Sequence, residues 1–334
     1  MFVSGLDIGY GYTKAVSGEK NTIFPSVIGD APEIAYHSDL VSSRGHCTKY
    51  TVDSKSWFVG DDALLQSKQQ VSPFARERVD SETLDVLLCA ALNALGVGSG
   101  EQVVLVTGLP VSWYTDRPRL AKRLLGHKLF QVDGEWRHFH VHDVAVVPQP
   151  FGAFFRSILG PAGHIVNSLL ARGRVAVVDV GMYTTDYALS DGLTYVEKGS
   201  GSIPLAMSSV YDLMAREIKQ QWGLEMSPHQ VDRACRSGEI RIRGQSHAVQ
   251  QLLESALDQV WDSLQGKAFE LWGDGLDLDA VVVAGGGAAY FGSRLEAMYP
   301  QVTRANGNGD PGLANCEGFY RYAVRKFGSY GKLP

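Results

Sequence analysis

Two stretches of the chain place an aspartate, a glycine and a polar turn at the same spacing. The first is Asp7-Ile8-Gly9-Tyr10-Gly11-Tyr12-Thr13-Lys14, and the second is Asp179-Val180-Gly181-Met182-Tyr183-Thr184-Thr185-Asp186. Each aspartate ends an apolar run that predicts a strand, and the glycine after it allows a tight turn whose backbone N–H groups can point at an anion. A carboxylate beside such a turn can hold a hydrated Mg²⁺ next to a phosphate group. The pair therefore predicts a site for a phosphate-bearing ligand and its metal ion.

Taken singly, each stretch also fits a simpler structure. The first is equally typical of a glycine hairpin that binds nothing, and Asp179 is also typical of an aspartate that caps a turn. Neither stretch is a P-loop, because a return strand follows instead of a helix, and no GxGxxG motif precedes a helix here. The recurrence of the pattern in both halves of the chain is what favours a ligand site.

Two more predicted strand ends carry candidate residues. The run Gly285-Gly286-Gly287 follows Val281-Val282-Val283-Ala284. Its glycines permit either close backbone approach to a flat or anionic ligand or a tight strand-to-helix turn. Gln149 lies between Pro148 and Pro150, where a glutamine can orient the attacking water in nucleotide hydrolysis. It also fits a surface glutamine at a crossing between domains.

Hydrophobic periodicity predicts an alternation of strands and helices that places these turns at strand ends. In chain order the predicted elements are strands Phe2–Ile8 and Tyr12–Ser17, an irregular segment Lys20–Tyr50, a hairpin Tyr50–Val59, a helix Ser81–Leu95, a strand Val103–Leu109, a helix Pro118–Leu125, a strand His138–Val147, a helix Phe151–Leu159, strands Val175–Val180, Tyr187–Ser190 and Leu193–Lys198, helices Ile203–Trp222, Pro228–Arg236 and Ala248–Leu271, a strand Leu278–Ala284, a loop Asn306–Gly312 and a helix Asn315–Phe327. The same order of strands and helices occurs twice. It predicts two α/β halves of similar plan that meet near Gln149 and near residues 314–318.

Composition excludes several classes of protein. Of 334 residues, 45% are hydrophobic and 20% are charged, as in an average soluble globular chain and unlike a disordered one. The formal net charge of −5 supplies no bulk basic field for binding nucleic acid without sequence preference. No apolar run reaches the roughly 18 residues of a membrane span, and no secretory signal is recognisable. The four cysteines are far apart, so we expect free thiols in a reducing cytoplasm.

The four turns, in this order, resemble those of the actin-like ATPases, the superfamily that also contains the seventy-kilodalton chaperones and the sugar kinases. Within it, the first hairpin and the segment 312–322 are most similar to the ParM/StbA-type plasmid-segregation actins and their archaeal relatives. The resemblance covers nearly the whole chain. It implies an α/β, actin-like (ribonuclease H-like) fold with two similar α/β domains flanking a nucleotide cleft. The implied domains are 1–148 plus 318–334 for the first and 149–317 for the second.

The resemblance also implies a role for each candidate residue. Asp7 and Asp179 would hold Mg²⁺ through water, and Gln149 would position the hydrolytic water. The implied nucleotide is ATP, with GTP possible. The residues implied to bind it are Gly9, Tyr10, Gly11, Tyr12, Lys14, Gly181, Met182, Tyr183, Thr184, Lys219, Gln220, Gly285, Gly286 and Gly287. This chain has Tyr10 where many relatives have a small hydroxyl residue, and Met182-Tyr183 where Gly-Thr is common, so we expect extra bulk near the γ-phosphate.

The implied function is a cytoplasmic ATPase that polymerises head-to-tail with copies of itself and segregates plasmid or other DNA. The DNA would be reached through an adaptor protein, without direct sequence-specific DNA binding and without a membrane. Two alternatives stay open: a small-molecule kinase of the same superfamily, for which Asp186 is the one candidate base, and a nucleotide-binding scaffold that does not polymerise.

Two other groups of residues have no place in that site. His138, His140 and His142 alternate along one strand, which fits either a transition-metal site or the exposed face of a strand whose Phe139 and Val141 point inward. The basic group Arg117, Arg119, Lys122 and Arg123 fits a solvated helix face or a contact for an acidic partner or DNA.

Overall fold

The computed structural model describes residues 1–34, 47–72, 80–305 and 309–328. The chain forms two compact units. The first unit contains Met1–Leu109, Trp113–Val166 and the chain from Asn315, and the second contains Pro110–Ser112 and Asn167–Ala314. The division into domains 1–148 plus 318–334 and 149–317 stays a prediction. Part of the predicted irregular segment Lys20–Tyr50 and of the predicted loop Asn306–Gly312 lies outside the described residues.

The first unit is built on one ten-stranded sheet. Its strands are β1 (Phe2–Ile8), β2 (Tyr12–Ser17), β3 (Lys20–Pro25), β4 (Ile28–Asp30), β5 (Tyr50–Val52), β6 (Lys55–Val59), β7 (Gln70–Val71), β8 (Glu101–Leu109), β9 (Gly126–Val132) and β10 (Glu135–Pro148). They lie in the order β3-β2-β1-β8-β10-β9-β5-β6-β4-β7. Strand β8 is central and apolar, and it is fully buried from Val103 onward, as expected for a parallel strand covered on both faces.

Five helices belong largely to this unit: α1 (Asp61–Gln66), α2 (Glu82–Ala94), α3 (Arg117–Leu124), α4 (Phe151–Ile158) and α10 (Ala314–Phe327). Helix α2 is buried over most of its length and packs its leucines on the sheet. Helices α4 and α10 approach backbone to backbone, because a Cβ at Gly318 would lie 1.7 Å from the carbonyl oxygen of Gly152. This close contact fixes the start of α4, directly after Gln149.

The second unit has a six-stranded sheet and a separate hairpin. Its strands are β11 (Arg174–Val180), β12 (Thr185–Asp191), β13 (Thr194–Tyr195), β14 (Gly201–Ile203), β17 (Ala280–Ala284) and β18 (Val302–Arg304), and the hairpin is β15 (Glu239–Ile242) with β16 (Gln245–Ala248). Its helices are α5 (Ser168–Arg172), α6 (Met207–Trp222), α7 (Pro228–Ser237), α8 (Gln250–Trp272) and α9 (Ala288–Met298). The buried faces of α6, α8 and α9 and one face of the sheet share a single core.

Both units use the same local arrangement of strands. In the first, β1 pairs antiparallel with β2 and parallel with β8, which pairs parallel with β10. In the second, β11 pairs antiparallel with β12 and parallel with β17, which pairs parallel with β18. Ligands of open α/β sheets bind outside the carboxyl ends of such parallel strands. All four candidate turns lie at these ends.

Most predicted elements are confirmed, and several expectations are wrong. The strand predicted over Leu193–Lys198 is limited to Thr194–Tyr195, and a 3₁₀ turn follows at Glu197–Gly199. The irregular segment contains strands β3 and β4. The helix predicted from Ile203 begins at Met207, because Gly201–Ile203 pairs with β12 and Ile203 precedes Pro204, which disfavours helical backbone. No element was predicted for residues 239–248, which form the hairpin β15–β16. The same holds for the residues of α1, β9, α5, α9 and β18. No helix of the described residues is both long and apolar enough to cross a membrane.

Candidate functional site

Asp7 is the centre of the first hairpin. It lies opposite Lys14 in the register of β1 and β2, and Lys14 Nζ lies 3.5 Å from Asp7 Oδ2. The Asp7 carboxylate is only 2% exposed, and its Oδ1 accepts a hydrogen bond from Gln149 Nε2 at 3.2 Å. Three of the predicted site residues of this unit are therefore in direct contact.

Gln149 is held in place by its backbone. Its N–H donates to the carbonyl of Leu109 at 2.7 Å, and its own carbonyl accepts from the N–H of Gly152 at 3.0 Å. A Cβ at Gly108 would lie 2.9 Å from the Cα of Gln149, so the ends of β8 and β10 touch only because Gly108 has no side chain. This packing directs the amide of Gln149 at Asp7.

The turn of the first hairpin uses some of its own backbone groups. The N–H of Gly9 donates to the carbonyl of Tyr12 at 3.1 Å, and the carbonyl of Gly11 accepts from the N–H of Ser26 at 2.9 Å. The N–H of Gly11 donates to no acceptor within the described chain. The Gly9 N–H that we expected to face a phosphate is therefore hydrogen-bonded within the turn, whereas the Gly11 N–H is available to a ligand.

The Tyr10 side chain is packed within the first unit. Its side chain is 8% exposed, and its ring packs edge-on against Trp113 of the same unit, with 5.7 Å between ring centroids. Burial of an aromatic ring against another aromatic ring is favourable. The ring is therefore part of the packing of the first unit, and the expectation that Tyr10 adds bulk near a phosphate stays a prediction.

The second hairpin repeats the geometry of the first. Asp179 lies opposite Asp186 in the register of β11 and β12 and is 2% exposed. The N–H of Gly181 donates to the carbonyl of Thr184 at 3.0 Å, as Gly9 donates to Tyr12. Asp179 and Gly181 thus occupy the places that Asp7 and Gly9 hold in the first unit.

Helix α6 begins directly behind this second turn. The carbonyl of Met182 accepts from the N–H of Ser208 at 2.7 Å, and the Met182 side chain packs on the core of the second unit. The Met182 side chain is therefore turned toward the core. The N–H of Met182 has no acceptor among the residues that the structure describes. Burial, with a smaller contribution from Asp212, raises the pKa of Tyr183, so this phenol stays protonated.

Asp186 has a structural role within the second unit. Its carboxylate accepts hydrogen bonds from Thr184 Oγ1 at 2.9 Å, from the N–H of Val111 at 2.8 Å, and from Ser202 Oγ. These three donors occupy the carboxylate within the second unit. The one candidate base for a small-molecule kinase is therefore already engaged.

The three glycines after β17 differ in their surroundings. Gly285 has φ +83°, and a Cβ there would lie 2.3 Å from the carbonyl oxygen of Val180 and 2.4 Å from Asp179 Oδ1. A Cβ at Gly287 would lie 2.3 Å from Val180 Cγ1. At Gly286 a Cβ would meet nothing within 4 Å. Two glycines therefore pack against the second hairpin, and Gly286 alone faces open space.

Lys219 and Gln220 lie apart from the hairpin turn. Both are exposed on the last third of α6, where Lys219 Nζ is 2.7 Å from a carboxylate oxygen of Glu225. Lys219 follows the first residue of α6 by twelve positions, which is about 18 Å along a helix axis. The structure therefore places these two residues away from the Asp179 turn, and their predicted role at the ribose and base of a nucleotide stays a prediction.

The residues present suit a magnesium ion bound together with phosphate. The first strand of each hairpin offers one buried carboxylate, Asp7 or Asp179. Mg²⁺ is typically held by one or two carboxylates plus substrate phosphates and water. Within the described ranges, no group of three or more His, Cys, Asp or Glu side chains forms a complete metal site. The donor set therefore fits Mg²⁺ that arrives with a nucleotide.

Two threonines escaped the sequence analysis although their spacing marks them. Thr13 and Thr185 follow Asp7 and Asp179 by six residues each, and both are fully buried. Thr13 Oγ1 is 2.8 Å from Ser26 Oγ, and Thr185 Oγ1 donates to the carbonyl of Leu205 at 2.7 Å. Aligning the two hairpins on their aspartates would have shown this shared position, from which each return strand is hydrogen-bonded to a later segment of the chain.

Comparisons with known proteins agree with this arrangement. Residues 5–152 match the family model of the actin-like proteins' N-terminal domain, and residues 177–297 match that of the archaeal actin homologue MreB-like C-terminal domain. An archaeal actin homolog of Thermoplasma volcanium is 25% identical over 97% of this chain and 99% of its own.

Solved structures are similar over almost the full length. The crystal structure of Ta0583, an archaeal actin homolog, has a TM-score of 0.82 at 22% identity and covers 98% of this chain and 100% of its own. The same protein has been solved in complex with ADP. A 15-stranded ParM filament from Clostridium botulinum has a TM-score of 0.81 at 22% identity, covering 96% of this chain and 98% of its own. These similarities show an actin-like fold.

Proposed function

The chain belongs to the actin-like proteins, and we propose that it binds a nucleoside triphosphate with Mg²⁺, hydrolyses it and assembles into filaments. One observation carries the proposal: two hairpins with the same register each end a buried strand in an aspartate, Asp7 or Asp179. The ADP complex of the archaeal actin homolog Ta0583 supports nucleotide as the ligand. ATP is the nucleotide that we propose, and Mg²⁺ would supply charge neutralisation at the phosphates.

Each hairpin would contribute backbone donors and one carboxylate. The N–H groups of Gly11 and Met182 would donate to phosphate oxygens, because both lack an acceptor in the described chain. The ammonium of Lys14, held next to Asp7, would add a positive charge. Asp7 and Asp179 would accept hydrogen bonds from the water shell of the metal ion. Gly286 would lie against the nucleoside, where a glycine permits the closest approach.

Gln149 is suited to orient the water that attacks the phosphate. Its Nε2 donates to Asp7, which fixes the rotation of the amide and leaves Oε1 to accept a hydrogen bond from water. A glutamine oxygen that accepts from the attacking water places the water's lone pair toward phosphorus, a role that glutamine has in other nucleotide hydrolases. The water would attack while Asp7 keeps the amide from rotating.

Filament formation and DNA segregation extend the proposal. ParM of Clostridium botulinum forms a 15-stranded filament, and a head-to-tail contact that does not close into a ring generates such a polymer. By the resemblance to ParM-type proteins, an adaptor protein bound to plasmid or other DNA would be the cargo. Pelleting of polymer with the DNA-bound adaptor tests this part separately from hydrolysis.

Phosphate release from Mg-ATP, measured without any added acceptor, tests the hydrolysis. We expect turnover by the wild-type protein and almost none by Asp179→Asn, which keeps the shape of the side chain but removes the charge that holds the metal's water shell. Asp191→Asn is the matched control, because Asp191 ends the same hairpin but forms an exposed ion pair with Arg174. Equal turnover in all three proteins would reject the site, and release only after adding a sugar would point to a kinase.

A further inference from the structure

Four histidines lie on the antiparallel strands β9 and β10 of the first unit. In their register His140 is directly opposite His127. The ring centroids of His127 and His140 are 4.2 Å apart, whereas those of His140 and His142 are 6.4 Å apart. A register shift between Val141 and Asp143 interrupts the alternation that the sequence predicted for His138, His140 and His142. The close pair of imidazoles therefore joins two strands.

The pair lies on the outer face of this hairpin. Phe130, Phe139 and Val141 on the opposite face are buried in the core of the first unit, which confirms the inward orientation of Phe139 and Val141. On the same face as His127, the side chain of Leu129 is 60% exposed. Metal ions in solution therefore have access to this face.

His140 has an imidazole nitrogen without a partner. Its Nδ1 is shielded from solvent and makes no hydrogen bond to the described residues. A shielded polar atom without a partner in a folded protein requires an explanation, and a bound ion is one. Two imidazoles that share one ion, with metal–nitrogen distances near 2.0–2.1 Å, have ring centres roughly 5 Å apart. The observed separation of the ring centroids, 4.2 Å, is close to that value.

The charges around the two histidines are of both signs, and the type of donor indicates which metal ion fits. His127 lines a cavity of about 580 Å³ together with Arg119, Arg123 and Lys128. Each of these three cations is paired with Asp80 or Asp85, and Lys122 also lines the cavity. The repulsion of a metal ion is therefore partly neutralised. In the described chain, no group of three His, Cys, Asp or Glu side chains completes a site. The two ligands proposed here are imidazoles, which suit Ni²⁺, Cu²⁺ or Zn²⁺, whereas Mg²⁺ and Ca²⁺ prefer oxygen ligands.

We propose that His127 and His140 bind one transition-metal ion of the Ni²⁺, Cu²⁺ or Zn²⁺ type across β9 and β10, with water completing the coordination. The site is separate from the magnesium site proposed for the nucleotide, and its test does not depend on hydrolysis. Binding links two neighbouring strands and therefore stabilises the folded hairpin by mass action.

Calorimetric titration with Ni²⁺ tests the proposal on the full-length chain without a histidine tag, because a tag would bind the metal itself. We expect one ion per chain, and a loss of affinity of at least about tenfold, roughly 1.4 kcal/mol, in both His127→Asn and His140→Asn. His138→Asn is the matched control, since it removes an exposed histidine from β10 next to the pair and should keep wild-type affinity. Excess Mg²⁺ should not compete.

Three results would overturn the proposal. They are an absence of Ni²⁺ binding by the wild-type chain, wild-type affinity in His127→Asn or His140→Asn, and an equal loss in His138→Asn. Circular dichroism of each variant verifies folding. The Cu²⁺-loaded protein supplies an independent readout, because its electron paramagnetic resonance spectrum should show two coupled imidazole nitrogens in the wild type and fewer in His140→Asn.

Discussion

Alanine substitutions in the triplet Gly285–Gly287 separate local packing from access to a ligand. A Cβ at Gly285 would meet Val180 and Asp179 at 2.3 and 2.4 Å with φ at +83°. The left-handed backbone costs about 1–2 kcal/mol and the overpacking about 1–3 kcal/mol. We expect Gly285→Ala to destabilise by about 2–5 kcal/mol and Gly287→Ala, with overpacking alone, by about 1–3 kcal/mol.

We expect Gly286→Ala to change folding stability in the opposite direction. No atom lies within 4 Å of its added Cβ, and replacing glycine by alanine at a compatible position stabilises by about 0.4–1 kcal/mol. If the nucleoside passes beside Gly286, the methyl group should nevertheless weaken nucleotide binding by at least about tenfold, or 1.4 kcal/mol.

Scanning calorimetry without nucleotide and titration calorimetry with Mg-ATP measure the two effects. At about 2–4 °C of Tm per kcal/mol for a unit of this size, Gly285→Ala should melt roughly 4–20 °C lower. The Tm of Gly286→Ala should lie near that of the wild type. Wild-type affinity in Gly286→Ala would mean that the triplet is only a strand-to-helix turn. A large loss of stability in Gly286→Ala would contradict the described geometry.

Three further substitutions or treatments have defined outcomes. Gln149→Ala should retain nucleotide affinity and lower the single-turnover rate of phosphate release by about 10²-fold or more. A parallel loss of nucleotide binding would show that Gln149 is a structural residue. Asp186→Asn should lower the Tm, since weakening the acceptor of three hydrogen bonds costs about 1–3 kcal/mol of folding free energy. Phosphate release at temperatures well below the unfolding transition should persist. Loss of phosphate release at an unchanged Tm would instead show that Asp186 is catalytic. Burial raises the pKa of Cys89 and Cys235 to about 12, so at pH 8 only about one thiol in 10⁴ of each is ionised. An aromatic disulfide reagent should therefore modify half-exposed Cys47 first. Rapid reaction of all four thiols in the native protein would show that the cores are open.

The strands that carry the site were predictable because their patterns are local. Alternation and apolar runs end in Asp7 and Asp179, and the glycines after them allow only a tight turn. The bounds of β1 and β2 are those predicted. Strand β3 was missed because it is exposed at the sheet edge and lacks the apolar signal of a buried strand.

Features that depend on distant residues were beyond the sequence. The carboxylate of Asp186 is held by Val111, 75 residues away, and by Ser202, and no local pattern announces either partner. The inward orientation of Tyr10 depends on its packing against Trp113. The cross-strand pair of His127 and His140 depends on the register of β9 and β10, which periodicity along one strand does not supply.

Simultaneous measurement of light scattering and phosphate release on adding Mg-ATP tests the central claim most directly, with a non-hydrolysable analogue in parallel. The proposed function predicts a rise in scattering followed by decay as phosphate appears, and a lasting rise with the analogue, because hydrolysis loosens the polymer. Phosphate release without scattering would leave a nucleotide hydrolase that does not polymerise. If nucleotide binds but neither phosphate release nor scattering is observed, the account is contradicted and the protein is a nucleotide-binding scaffold.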